Sequence, residues 1–126
     1  MANNLIGRFY FKLTDSKNLI GEFSNNHETC KRNYTESADR DQQKPGDDKF
    51  VFVGEYFTTW HDYIDNKHGS GLAKLEIKRK SGCENIFLLT WWLMENNKTG
   101  VDPSFWGEGM LCDGVLIGDY RDFPTP

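Results

Sequence analysis

A tight turn between two glycine-bearing strands constrains this chain more than any other feature. In FWGEGMLCDGVLIGDY, Phe105 to Tyr120, two apolar runs meet at Asp113-Gly114. Asp-Gly suits a two-residue hairpin because both central positions of that turn need positive φ. The same cadence opens the chain, where Leu5 to Phe11 (LIGRFYF) and Leu19 to Phe23 (LIGEF) flank the polar turn Asp15-Ser16-Lys17-Asn18, and it returns at Val53-Gly54-Glu55-Tyr56. A glycine followed two places later by an aromatic predicts strands that coil at the glycine and lay a ring over the bend, as a small closed barrel requires.

The rest of the chain supplies the other strands. Leu5, Phe9, Phe11 and Leu13 alternate with Arg8, Tyr10 and Lys12, and Leu19, Gly21 and Phe23 continue that core face with Glu22 outside near Tyr10. Lys31 to Ala38 reads as a short strand anchored by Tyr34, and residues 38-49, charged and containing Pro-Gly, as a flexible loop that is either a connector or a lid. Phe50 to Tyr63 is expected to bend at Gly54, with Tyr56, Thr58 and Trp60 on one face and Glu55, Phe57 and Thr59 on the other. After a loop from Asp62 to Gly71, Leu72 to Lys80 points Ala73, Leu75 and Ile77 inward. Asn85 to Glu95 is apolar on both faces, and Asn96 to Ser104 connects it to the closing hairpin.

This makes seven or eight strands in meander order without an amphipathic helix. The expected fold is all-β: one antiparallel up-and-down barrel spanning residues 1-126, with a seven-stranded sandwich as the alternative. Closure removes the exposed edges that a sheet of this length would otherwise carry. It requires the last strand to pair with Leu5 to Leu13.

Composition narrows the partners. The chain has 126 residues, 14% of them aromatic, and a net charge of −4, so its core is ring-rich and it carries no overall field for nucleic acid or an acidic membrane. The one basic cluster, Lys78-Arg79-Lys80, reads as a solvated strand end. No apolar run reaches the ~20 residues of a spanning helix. Three cysteines without paired spacing and no signal pattern at the N-terminus predict a reduced, cytoplasmic setting, in which the sequons at Asn33 and Asn97 carry no glycan.

Gly7-Arg8-Phe9-Tyr10, Leu19-Ile20-Gly21-Glu22-Phe23 and Leu116-Ile117-Gly118-Asp119-Tyr120 resemble the Gly-x-aromatic strand starts and Leu-x-Gly-x-aromatic strands of the calycin-like barrels, the lipocalins, fatty-acid-binding proteins and avidins. Phe9 stands where lipocalins have the tryptophan of Gly-x-Trp, and Phe105-Trp106-Gly107-Glu108-Gly109 keeps only the glycine pair of the nitrobindin-like haem barrels. The resemblance implies a barrel with a cavity and names neither ligand nor cofactor.

An eight-stranded barrel is either filled by its side chains or holds one small ligand. For a hollow barrel, the expected lining is Tyr56, Thr58, Trp60, Thr90, Trp92 and Tyr120, rings with a few hydroxyls, and a shift of one residue would substitute Phe57, Thr59 and Trp91. Trp106 and Glu108 are the candidates at a barrel mouth. His61, Asp62, Asp65 and His68 lie close together but lack a second pair at ligand spacing, so no metal site is assigned. Glu22, Glu55, Glu76 and Glu108 default to outward positions on strands, no phosphate loop or nucleophile elbow occurs, and no catalytic residue is assigned. The expected function is binding of a small apolar or aromatic ligand. The alternative is a filled barrel acting as an interaction module, with homodimerisation through Asn85 to Glu95 because a strand apolar on both faces needs cover on both.

Overall fold

The computed structural model describes residues 5–26, 33–64 and 67–122. Among these described residues there are nine antiparallel strands: β1 (Ile6–Leu13), β2 (Leu19–Asn25), β3 (Tyr34–Arg40), β4 (Gly54–Ile64), β5 (Lys67–Arg79), β6 (Ile86–Glu95), β7 (Lys98–Thr99), β8 (Phe105–Cys112) and β9 (Val115–Asp122). Eight of them form a closed barrel in the neighbour order β1-β2-β3-β4-β5-β6-β8-β9, with β9 returning to β1. The two-residue β7 only folds back on the end of β6. No helix among the described residues is long and apolar enough to cross a membrane.

Closure occurs where the sequence places it. β9 runs along the whole of β1, from Ile6 opposite Arg121 to Lys12 opposite Val115. The hairpin that delivers β9 turns at Asp113 (φ 54°) and Gly114 (φ 80°), the paired left-handed conformations that the dipeptide is suited to.

The glycines contribute differently from the expectation. At Gly71 and Gly7 the covering ring comes from the neighbouring strand and not from two residues along the same one. Trp60 lies opposite Gly71 and Tyr120 opposite Gly7. A Cβ at Gly71 would collide with the Trp60 indole, and one at Gly7 with the Tyr120 phenol ring. Phe9 faces Gly118, Phe11 faces Gly21 and Phe87 faces Gly109. A narrow barrel accommodates large rings only where the facing position is empty.

Three boundaries move. Ala38 to Arg40 belong to β3, so the charged loop begins later than its composition implies. Phe50 to Val53 is not strand but a turn, closed by Val53 N–H donating to Phe50 O at 2.9 Å. Within the expected loop from Asp62 to Gly71, residues 62–64 instead continue β4 and residues 67–71 belong to β5, with Asp62 opposite Gly69 and Tyr63 opposite His68. Lys31 and Arg32 of the expected third strand, and Asp65 of the His/Asp cluster, lie outside the described residues.

The 50–53 turn plugs one end of the barrel. Phe52 is buried there, and Phe50 meets Phe87 edge to face with ring centroids 6.4 Å apart. Arg40 holds the turn in place: its guanidinium donates to Val53 O (3.0 Å), Val51 O (2.7 Å) and Lys17 O (3.0 Å), and lies 4.7 Å from the Tyr56 ring centre. Tyr56 OH in turn donates to Phe52 O at 2.8 Å. The connection between β3 and β4 thus closes one end of the barrel and leaves the other for a site.

Candidate functional site

At the opposite end, where β1 begins and β2 ends, the barrel holds a partly open cavity of about 230 Å³. Six aromatic side chains wall it: Phe9, Phe23, Trp60, Trp91, Phe105 and Tyr120. They hold one another in place. Phe9 packs edge-on against Trp91 (5.9 Å between centroids), Tyr120 against Phe105 (6.3 Å) and Phe105 against Trp60 (6.3 Å), while Trp91 meets Tyr120 at a tilt (6.0 Å). Edge-to-face pairs at these separations are favourable beyond the area they bury, so the wall is preformed.

Among the described residues, three polar side chains enter this apolar space: Asn25, Glu36 and Asp62. Glu36 arrives through simple alternation. Tyr34, Glu36 and Ala38 are the inward residues of β3, and all three are buried. Thr58 Oγ1 donates to Glu36 Oε2 at 2.6 Å, and Trp91 Nε1 donates to the same oxygen at 3.1 Å. Oε1 has no donor among the described residues. Burial pushes the Glu36 carboxyl up to about 7, although both hydrogen bonds pull the other way. A carboxyl with two neutral donors and, among the described residues, no cationic partner is thus poised to gain or lose its proton near neutral pH.

Tyr120 OH accepts a hydrogen bond from Asn25 Nδ2 at 3.0 Å, and burial pushes its phenol up to about 12. Asp62 is half-buried near the end of β4, its carboxylate over Gly69, where a Cβ would strike it. Among the described residues the cavity lining includes two carboxyls and no Lys, Arg or His.

The residues proposed from sequence fall into two groups. Trp60 and Tyr120 line the cavity. Thr58 is fully buried beneath it as the donor to Glu36, and Tyr56 is fully buried at the plugged end with Arg40. Thr90, Trp92, Trp106 and Glu108 instead stand on the outer face, because the inward residues of β6 are Phe87, Leu89 and Trp91, and those of β8 are Phe105, Gly107 and Gly109. The outer side chains have surface partners. Lys74 Nζ lies 5.7 Å from the Trp92 ring centre, the Arg121 guanidinium 5.0 Å from that of Trp106, and Lys80 Nζ donates to Glu108 at 2.9 Å. The basic Lys80 thus has an ion-pair partner, and Glu108 is not at a barrel mouth.

His61 is exposed, whereas its neighbour Asp62 points into the cavity, so strand alternation separates the two. Among the described residues no group of three or more potential ligands could hold a metal ion.

Sequence reasoning missed Glu36, and it named Asp62 only as part of the His/Asp cluster. Glu36 had a signal: once Tyr34 is taken as the inward anchor of its strand, the residue two places on shares its face. Trp91 was the alternative under a shift of one residue, and the structure takes that register in β6.

Comparison with family models, with curated proteins and with solved structures returns no match to this chain.

Proposed function

We propose that the protein binds a small molecule in the cavity between Trp60, Trp91 and Tyr120, and that its barrel is of the calycin type. The carrying observation is the cavity itself: about 230 Å³ of space walled by interlocked rings, with a buried carboxyl directed into it. A filled barrel would place apolar atoms there. The volume lies below the roughly 300–1,000 Å³ of pockets for drug-sized ligands, so the occupant is a compact molecule with one small ring or a short chain. The up-and-down order and eight-stranded closure support the calycin assignment. The free thiols of Cys83 and Cys112 support a reducing, cytoplasmic setting.

Trp60 and Trp91 make the reading directly testable. Intrinsic fluorescence of the purified protein, titrated with single-ring compounds, is expected to change saturably. Trp60→Phe and Trp91→Phe should together remove most of the response. A flat signal across acidic, neutral and basic compounds, with no co-purified molecule in native mass spectrometry, would overturn the reading.

A second reading, association of two copies, is favoured by the outer face of the barrel. Met110 and Ile117 are cross-strand neighbours, each about half exposed, and Leu88 is 39% exposed on the adjoining β6. Ile86 lies opposite Met110 and extends the apolar patch.

A further inference from the structure

We propose that the cavity takes a small organic cation, a primary or secondary amine carrying a compact aromatic or aliphatic body. This rests on the binding reading above and deepens it. Three independent features point to a positively charged occupant. Among the described residues the wall holds six rings, whose electron-rich faces attract ammonium groups. Two carboxyls, Glu36 and Asp62, project among them, and among the described residues no Lys, Arg or His joins the lining. Within the Glu36 carboxyl, both protein donors converge on Oε2, so Oε1 is the oxygen open to a ligand N–H.

A buried carboxylate without a cationic partner is costly, and a group in that position either keeps its proton or acquires a partner. An ammonium ligand supplies the partner. The balance is simple: the protonated amine keeps its own proton, donates a hydrogen bond to Oε1, and the Glu36 carboxyl releases its proton to solvent. Among the described residues, the titratable groups that line the cavity with Glu36 are Asp62 from β4 and Tyr120 from β9. Phe9 of β1, Phe23 of β2, Trp91 of β6 and Phe105 of β8 carry no charge, and Asn25 is neutral. Tyr120 stays protonated throughout the neutral range, since its phenol is pushed up to about 12. Any released proton is therefore not the phenol's, and the Glu36→Gln and Asp62→Asn variants assign it between the two carboxyls. A neutral ligand would use the protonated carboxyl as a donor and release nothing.

The test is isothermal titration of the purified protein with phenethylamine, 2-phenylethanol and 3-phenylpropanoate, in two buffers of different ionisation enthalpy, at about pH 6 and about pH 8. Phenethylamine is expected to bind at least about tenfold more tightly than the alcohol, with the propanoate weakest. Its binding should release close to one proton at the lower pH and close to none at the higher, as the carboxyl's value near 7 requires. Glu36→Gln should abolish proton release and most of the preference for amine over alcohol, and Asp62→Asn should weaken amine binding without abolishing the release. Circular dichroism confirms that each variant retains its sheet. Equal or tighter binding of the alcohol, or amine binding without proton release at the lower pH, overturns the cation assignment while leaving a binding cavity. No binding of any of the three overturns both.

Discussion

Glu36 shows how one residue couples the fold to its site. Its carboxyl is raised to about 7 in the folded protein, against an ordinary value near 4.5. Between those two pH values the unfolded chain releases the proton while the folded chain keeps it. Stability from this group is therefore greatest below about pH 4.5, falls as pH rises, and reaches its full deficit above about pH 7. The interval corresponds to a cost of about 3 kcal/mol. Glu36→Gln keeps an acceptor for Thr58 and Trp91 and removes the ionisation. Urea unfolding is expected to show the variant gaining about 2–3 kcal/mol on wild type between pH 5 and pH 8. Parallel pH curves for the two proteins would show that the carboxyl ionises freely in the fold. Gly71 is the complementary case, since its missing side chain is what admits the Trp60 indole. Gly71→Ala should cost about 1–3 kcal/mol in the same measurement and displace Trp60, shifting its fluorescence.

At the scale of the strand, parity is the decisive variable. Asn85 to Glu95 is apolar on both sides, so the order of residues does not say whether Trp91 or Trp92 faces the interior. The pairing of Thr90 with Trp106 and Leu89 with Gly107 settles it: the glycine of β8 leaves interior room opposite Leu89, and Trp91 follows on that face. The buried Trp91 should therefore cost about 3–5 kcal/mol when changed to Ala. Trp92→Ala, on the face covered by Lys74, should cost no more than about 1 kcal/mol. Thermal or urea unfolding of the two variants separates the faces, and equal losses would refute the assigned parity. The strands with clean alternation, β1 and β2 in particular, left no such ambiguity: Tyr10 pairs with Glu22 outside, its phenol donating to the carboxylate, and Phe9 with Phe23 inside.

For the whole molecule, closure and association are separate questions. The barrel closes on its own strands, so a second copy is not needed to cover an edge, and the dimer proposed above would use the outer faces of β6, β8 and β9. Sedimentation at high micromolar concentration is expected to show a dimer that Met110→Asp returns to monomer, and a monomeric wild type would end that reading. The sequence by itself determined that the chain is all-β, that Asp113-Gly114 turns the last hairpin, and that β9 seals against β1. These follow from turn chemistry and period-two alternation, which are local properties of neighbouring residues. Only the tertiary structure decided which face of β6 is interior, that rings lie over glycines of adjacent strands, and that Phe50 to Val53 plugs one end. It also decided that Glu36, an ordinary glutamate in a polar stretch, stands in a ring-walled cavity with Trp91 Nε1 as its donor, although the two lie 55 residues apart. Cross-strand register and enclosure of volume are products of the closed barrel, and no window of the chain carries them.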